Sequence, residues 1–348
     1  MNLDINEKSR YSRHLLLEGF GEAAQLKLKQ ARILIAGVGG LGCPALQYLC
    51  AAGVGTIGIV DDDTVSESNL QRQILFNTND CGKLKVDVAE GRMHALNPFV
   101  QIEKHAQRIG IHNVLELVNA YDLVIDGTDN FQTRYLLNDA CVMSGKALVY
   151  GSVLRFEGQV SVFNYQDGPT YRCLFPQAPQ VGEMPSCSEA GVLGVLPGII
   201  GSWQAAEAIK IITGIGEPLS GKLLRLDLTG NHIGMFSFKT IPENKHVHSL
   251  MEYPFECASD EISFETFKAW QAERKVQLID VRSEIEYAEK NIGGLNIPID
   301  RLPEHLAMLD PASTVVVHCK SGARARKAVD MIREQLHHPD VFLLRVGL

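Results

Sequence analysis

Apolar residues in this chain come in short continuous runs separated by stretches of helical spacing. Residues 32–36 form a run short enough for a buried strand, and 44–52 carry the spacing of the helix after it. Residues 56–60 predict the next strand, which ends at Asp61-Asp62-Asp63. Residues 123–126 predict another, and its C-terminal end carries Gly127-Thr128-Asp129-Asn130. Residues 159–164 and 222–228 read as later strands, and 203–212 as a core helix. Strands alternating with helices imply an α/β fold with a doubly wound, mostly parallel, Rossmann-like sheet. Ligands of such a sheet lie beyond the carboxyl ends of its strands.

The pattern changes after Phe238. Residues 242–248 are polar, contain Pro242, and read as a linker. A second strand–helix pattern starts near Ile262, with strands at 276–281 and 315–318 and a helix at 325–335. The chain therefore divides into a domain over 1–240, a linker over 241–261 and a smaller α/β domain over 262–348.

Composition adds exclusions. The 348 residues carry a net charge of -8, whereas a general nucleic-acid binder presents a basic face. The N-terminus is polar and acidic, unlike a signal peptide. The most apolar stretch, 191–201, is short and broken by Pro197, so no membrane span is expected. Eight cysteines are scattered without an export signal, which suits reduced thiols in a cytoplasmic protein. Cys43 and Cys50 fall on the 44–52 helix and read as core.

The first predicted strand runs into Gly37-Val38-Gly39-Gly40-Leu41-Gly42, and a helix follows. The missing side chains let backbone N–H groups and a helix N-terminus approach a phosphate. Asp61 ends the next strand, where a carboxylate can hold ribose hydroxyls. A nicotinamide oxidoreductase would share everything to this point. It has no need for Arg72, Lys85 and Asp129, whereas phosphate chemistry uses cations against a pyrophosphate leaving group and an aspartate for Mg²⁺. No Gly-Lys-Ser/Thr occurs, so this is not a P-loop enzyme. Taken singly, Arg72 and Lys85 read as surface charges and Asp129 as a helix cap before residues 131–137. Their joint order and spacing favour the site.

Those residues resemble the MoeB/ThiF family, relatives of the ubiquitin-activating enzymes. The likeness runs through Arg10-Tyr11-Ser12-Arg13-His14, the glycine loop, Asp61-Asp62-Asp63, Ser68-Asn69-Leu70-Gln71-Arg72-Gln73, Gly82-Lys83-Leu84-Lys85 and Gly127-Thr128-Asp129-Asn130. It continues to Ser186-Cys187-Ser188-Glu189-Ala190. The resemblance implies ATP-dependent adenylation of the C-terminal glycine of a ubiquitin-like sulfur carrier of the MoaD or ThiS type. By the same resemblance Gly37, Gly39, Gly40 and Gly42 cradle ATP, with Asp61 and Asp63 beside them. Asp61 holds the ribose, Asn69, Arg72 and Lys85 hold the phosphates, and Asp129 holds Mg²⁺. Arg13 would reach into a partner subunit's site, so the pattern implies a homodimer. Cys187 would capture the acyl group as a transient thioester or resolve an acyl disulfide.

The family often carries a structural zinc held by two Cys-x-x-Cys pairs, and this chain departs from that. Thr170 replaces one cysteine of the first pair, and no cysteine lies within 242–248. The zinc site is therefore expected to be absent. An irregular set of Cys173, His246, His248 and Cys257 stays open as the alternative.

The second domain resembles a rhodanese, through Leu278-Ile279-Asp280-Val281-Arg282-Ser283, Glu286-Tyr287 and the loop Cys319-Lys320-Ser321-Gly322-Ala323-Arg324. Backbone N–H groups of such a loop and a helix N-terminus favour a thiolate at Cys319 and hence a persulfide. The loop is one residue shorter than the Cys-x5-Arg loop of tyrosine phosphatases, which suits sulfur rather than phosphate. Two departures leave open a module used only for docking. Asn291 stands where the family usually has histidine, and the chain stops at Val346-Gly347-Leu348, before an expected Gly-Gly and tryptophan-containing helix.

The expected activity is thus carrier adenylation followed by sulfur transfer from Cys319, giving a thiocarboxylate for molybdopterin or thiamine synthesis. A persulfide donor such as a cysteine desulfurase would load Cys319. An oxidoreductase, a peptide-modifying adenylyltransferase and a scaffold with an inactive rhodanese module remain the competing readings.

Overall fold

A computed structural model of the chain describes residues 2–177, 191–251, 261–310, 313–319, 322–336, 338 and 340–345. The chain separates into two compact units, Met1–Phe255 and Glu256–Leu348.

The first unit is built on an eight-stranded sheet. Its strands are β1 (Arg32–Ala36), β2 (Thr56–Val60), β3 (Gln101–His105), β4 (Leu123–Asp126), β5 (Ala147–Leu154), β6 (Glu157–Phe163), β7 (Lys222–Asp227) and β8 (His232–Ser237). Their order is β3-β2-β1-β4-β5-β6-β7-β8. β1 to β5 pair in parallel, and β5 to β8 continue as an antiparallel meander. The apolar runs become strands buried on both faces, as a helix-covered parallel sheet requires. Ile33 and Ile35 of β1 point into one core, with helices Gly42–Ala52, Lys85–Leu96 and Val195–Thr213. Leu34 and Ala36 point into the other, with Val114–Asn119 and Phe131–Ser144. Full burial of one such aliphatic side chain is worth about 1.5–3 kcal/mol.

The helix expected at 203–212 begins earlier, at Val195. Pro197 lies in its first turn, where its missing N–H costs no hydrogen bond. The winding reverses between β1 and β4, and a crevice opens there beyond the strand carboxyl ends.

The second unit has five parallel strands, β9 (Glu261–Ile262), β10 (Val276–Asp280), β11 (Leu295–Asn296), β12 (Thr314–Cys319) and β13 (Val341–Arg345), in the order β11-β10-β12-β13-β9. Val315 and Val317 of β12 face a core that contains Ala325, Ala328 and Val329 of helix Ala323–Leu336. Val316 faces a second core with Phe267. Among the described residues, no helix is long and apolar enough to cross a membrane.

Candidate active site

The glycine loop is shaped by close backbone contacts. Gly37 has φ +88°, and a Cβ there would lie 2.9 Å from the Gly127 carbonyl oxygen. A Cβ on Gly42 would meet the Gly37 oxygen at 1.9 Å. Only glycine lets the loop turn at Gly37 and fold back under the start of helix Gly42–Ala52. The loop is tied to its neighbours by Gly37 N–H to Val60 O and Gly127 N–H to Ala36 O, both 2.8 Å.

Asp61 follows β2 and braces this loop. Its carboxylate accepts from Val38 N at 2.7 Å and from Asp63 N at 2.9 Å. Burial raises the Asp61 carboxyl above its ordinary value, against the opposing pull of the Lys85 charge and the two N–H donors. Each oxygen keeps a further lone pair for a ligand hydroxyl.

Lys85 is no surface charge. It is the first residue of helix Lys85–Leu96, and its side chain is 5% exposed. Its Nζ meets Asp63 Oδ2 at 2.7 Å, and its backbone N–H reaches Asp63 O at 3.0 Å. Arg72 is half-buried and donates to Ser68 O at 3.0 Å. The turn that holds it is closed by Arg72 N–H to Asn69 O at 3.1 Å.

The cap of helix Phe131–Ser144 is Asn130, which accepts from Thr133 N at 2.8 Å. Asp129 is therefore not spent on capping and stands exposed at the mouth of the crevice. A buried network sets its turn. Arg134 donates from Nε to Asp126 Oδ2 and from a terminal nitrogen to Thr128 O, each at 3.0 Å. Thr128 donates to Asp126 Oδ1 from its hydroxyl at 2.6 Å and from its N–H at 3.0 Å. Gln204 of helix Val195–Thr213 donates to the Asp126 carbonyl at 2.7 Å.

These pieces enclose a cavity of about 560 Å³. Gly37, Gly39, Gly40, Asp61, Asp63, Asn69, Arg72, Lys85 and Asp129 all line it. Gly42 lies behind the wall, at the helix start. Gln73, Gln107 and Arg108 also line the cavity and were not singled out from sequence; Gln73 is buried with its Oε1 unpaired. The signal for Arg134 was a charged residue directly before the apolar run Tyr135-Leu136-Leu137 of a helix. Arg13 sits exposed on the short helix Ser12–Leu15 and does not line this cavity. Cys187 lies outside the described residues.

The carboxylates suit a hard divalent cation, which takes oxygen ligands. Oxygens of Asp61, Asp62 and Asp63 lie within 4.8 Å of one another, but Asp61 is engaged by two N–H groups and Asp63 by Lys85. The exposed Asp129 is the better-placed donor. At Cys173 the residue three positions earlier is Thr170, which offers a hydroxyl where a Cys-x-x-Cys pair has a second thiol. The Cys173 sulfur accepts from Ile241 N at 3.3 Å and from Thr170 N at 3.4 Å. His246 and His248 stack on each other with centroids 6.5 Å apart. Cys257 is outside the described residues.

In the second unit Cys319 ends β12, buried, and its sulfur accepts from Ala325 N at 3.3 Å. Gly322 turns the loop with φ +86°, and Ala323 opens the following helix. Lys320 and Ser321 lie outside the described residues. Arg324 forms a two-pronged pair with Glu286, both bonds 2.7 Å. Asp280 and Arg282 pair similarly beneath, with the shortest contact 2.7 Å. Burial pushes His318 below its ordinary value, so it is neutral beside them. Asn291 has a structural job, donating to Tyr287 O at 2.9 Å and accepting from Gly293 N at 3.1 Å.

A glycine-loop crevice with two cations and an exposed aspartate defines a nucleotide-binding unit, and a cysteine on a strand-to-helix loop defines its companion. Sequence comparison agrees with both. Residues 11–249 match the ThiF family, and residues 263–348 match the rhodanese-like domain. The chain belongs to the ThiF family, with a C-terminal rhodanese-like domain. It is 41% identical to the probable adenylyltransferase/sulfurtransferase MoeZ of Mycobacterium tuberculosis, over 95% of this chain and 90% of that protein. It is 40% identical to the adenylyltransferase and sulfurtransferase MOCS3 of Drosophila sechellia, covering 96% and 80%. The sulfur carrier protein adenylyltransferase of Thermus thermophilus is 51% identical over 64% of this chain and 83% of its own length. E. coli MccB, solved with ATP, superposes with a TM-score of 0.60 at 23% identity, over 67% of this chain and 72% of MccB, and supports the fold.

Proposed function

We propose that this chain adenylates the C-terminal glycine of a ubiquitin-like sulfur carrier and then supplies sulfur from Cys319 to make the thiocarboxylate. The supporting observation is the convergence of Arg72, Lys85 and Asp129 on the glycine-loop cavity, in a chain that also carries a cysteine loop of rhodanese type. An oxidoreductase has no use for that convergence. The full-length likeness to MoeZ and MOCS3, both named as adenylyltransferase and sulfurtransferase, supports the same reading.

In the proposed mechanism the glycine loop and the start of helix Gly42–Ala52 receive the phosphates of ATP, and Asp61 takes ribose hydroxyls with its free lone pairs. Asn69, Arg72 and Lys85 bind the phosphates, and the two cations stabilise the pyrophosphate as it leaves. Mg²⁺ bound by Asp129 would neutralise phosphate charge when present. The carrier's terminal carboxylate attacks the α-phosphate, and pyrophosphate departs. Arg13 acts across a homodimer, on its partner's site. In the second stage the outer sulfur of a Cys319 persulfide attacks the acyl adenylate and AMP leaves. Cys187 either holds the acyl group first as a thioester or attacks the inner sulfur of the acyl disulfide. The latter releases the thiocarboxylate and leaves a disulfide that a thiol reductant reopens. Molybdopterin or thiamine synthesis would use the product, and a cysteine desulfurase would provide the persulfide.

Mass spectrometry of small carriers from the same cell, after incubation with ATP and a persulfide donor, tests this. A C-terminal gain matching replacement of oxygen by sulfur is expected. Neither adenylate nor thiocarboxylate on any carrier would refute it, and adenylation of a short free peptide instead would make the chain a peptide-modifying enzyme.

A further inference from the structure

Arg324 is the second residue of helix Ala323–Leu336, next to Ala325, whose N–H binds the Cys319 sulfur. Its guanidinium is the described side-chain cation nearest in sequence to that thiol on the helix side. Both hydrogen bonds of its fork go to the Glu286 carboxylate at 2.7 Å. Glu286 is itself held in place. It accepts from Ser283 N at 3.0 Å, while its own N–H donates to Ser283 Oγ at 3.3 Å, a capping box at the start of helix Glu284–Glu289. The pair is therefore a fixed partnership and not a passing surface contact. Below it Asp280 and Arg282 cancel each other in the same two-pronged way. Arg324 and Glu286 are each about a third exposed, so solvent and solutes reach both charges.

We propose that Glu286 sets the charge of the sulfur donor accepted by Cys319. By matching the charge of Arg324 it favours a persulfide carried on a thiol over a dianion such as thiosulfate. This rests on the sulfur-transfer reading above. With a persulfide, the Cys319 thiolate attacks the outer sulfur, the S–S bond of the donor breaks, and the donor thiolate leaves with the electron pair. With thiosulfate, the thiolate attacks the sulfane sulfur, its bond to the sulfonate sulfur breaks, and sulfite leaves with the pair. The second route brings two negative charges toward a thiolate and a carboxylate, with Arg324 already engaged. One carboxylate acting on a dianion at several ångströms through water changes a rate about tenfold.

The test uses the full chain with thiosulfate and N-acetylcysteamine persulfide, which has no charge beyond its persulfide, as donors, and reads kcat/KM for sulfur loading by cyanide capture. Glu286→Gln keeps a capping-box residue, since glutamine serves that role too. Its kcat/KM for thiosulfate should rise about tenfold while that for N-acetylcysteamine persulfide moves less than about twofold. Glu286→Asp, which keeps the charge, should retain the wild-type preference. Peptide-mapped alkylation of Cys319 gives a readout independent of turnover: the ratio of iodoacetate to iodoacetamide rates should rise in Glu286→Gln. An unchanged ratio, or equal changes with both donors, would overturn the proposal. Sulfur loading that persists in Cys319→Ala would instead refute the transfer reading, and the alkylation ratio would still judge Glu286.

Discussion

Arg134 and Asp126 form a buried ion pair at 3.0 Å beneath the turn that presents Asp129. Burial alone would disfavour the guanidinium charge, but the Asp126 carboxylate more than reverses this and holds Arg134 above its ordinary value. The pair is worth little as a source of net stability, because desolvation offsets the attraction. Its consequence is geometric: Asp126 ends β4 and Arg134 also holds Thr128 O, so the chain between them cannot drift.

Removing one partner should show this. Arg134→Met leaves the Asp126 carboxylate buried and unpaired, which should destabilise the first unit by about 3–5 kcal/mol in urea unfolding. Pyrophosphate exchange should be lost with it. Adding Asp126→Asn should recover part of the stability, so that the double variant costs less than the sum of the singles. Additive losses would mean the two residues act separately.

Asp129 should behave oppositely. It is exposed and its neighbour Asn130 does the capping, so Asp129→Ala should leave stability within about 0.5 kcal/mol. Carrier-dependent pyrophosphate release should fall by two to three orders of magnitude, roughly the size of losing one electrostatic contact in the transition state. A large drop in melting temperature would assign Asp129 a structural role instead.

Arg13 separates one subunit from two. It does not line the cavity of its own chain, so the proposed dimer requires it in trans. Arg13→Ala and Asp129→Ala should each be inactive alone, yet mixed and re-equilibrated they should regain roughly a quarter of wild-type activity through random pairing of two-fold dimers. No recovery in a mixture shown to exchange subunits would place Arg13 elsewhere.

The nucleotide crevice was legible because its signals are local. The apolar runs at 32–36, 56–60 and 123–126 could only be doubly buried strands, and each ends in the loop that carries site residues. β3 was missed because it is an edge strand with polar side chains such as Gln101 and Lys104, which break the apolar pattern. The Arg134 and Glu286 networks were missed for another reason. Arg324 and Glu286 are 38 residues apart, and which of many charges meet is decided by tertiary packing. The partners of Cys173 were likewise beyond reach, since Ile241 is 68 residues away.

The Glu286–Arg324 pair also predicts a pH dependence. Hydrogen bonds from Arg324 first, and from Ser283 N–H next, hold the Glu286 carboxyl well below its ordinary value of 4.5. A carboxyl depressed in the folded state adds stability above the unfolded value and loses it as pH falls through the folded one. Wild type should thus exceed Glu286→Gln in stability at neutral pH, and the difference should shrink progressively below pH 4.5. Both side chains are about a third exposed, so the difference should stay within about 1 kcal/mol. Denaturant melts of the two proteins from pH 7 to pH 3 check the sign; a gap that widens on acidification would contradict it.

Cys173 offers a test of whether this chain carries the family zinc. Its sulfur occupies the place where Thr170 N, Thr170 Oγ1 and Ile241 N converge, at 3.3–3.4 Å. The same join is stitched by Thr170 Oγ1 to Asn244 O at 3.3 Å and by Asn244 Nδ2 to Arg172 O at 3.0 Å. Zinc wants four nitrogen or sulfur ligands, and Thr170 stands where a Cys-x-x-Cys pair would place its other thiolate. Purified protein should therefore carry far less than one zinc per chain, and EDTA should leave its melting temperature unchanged. Cys173→Ala should orphan two N–H donors and cost about 1–3 kcal/mol, whereas Cys173→Ser, which restores an acceptor, should cost less. A stoichiometric zinc whose removal lowers the melting temperature would overturn this, and the alanine and serine variants would then fail alike because both lose a metal ligand.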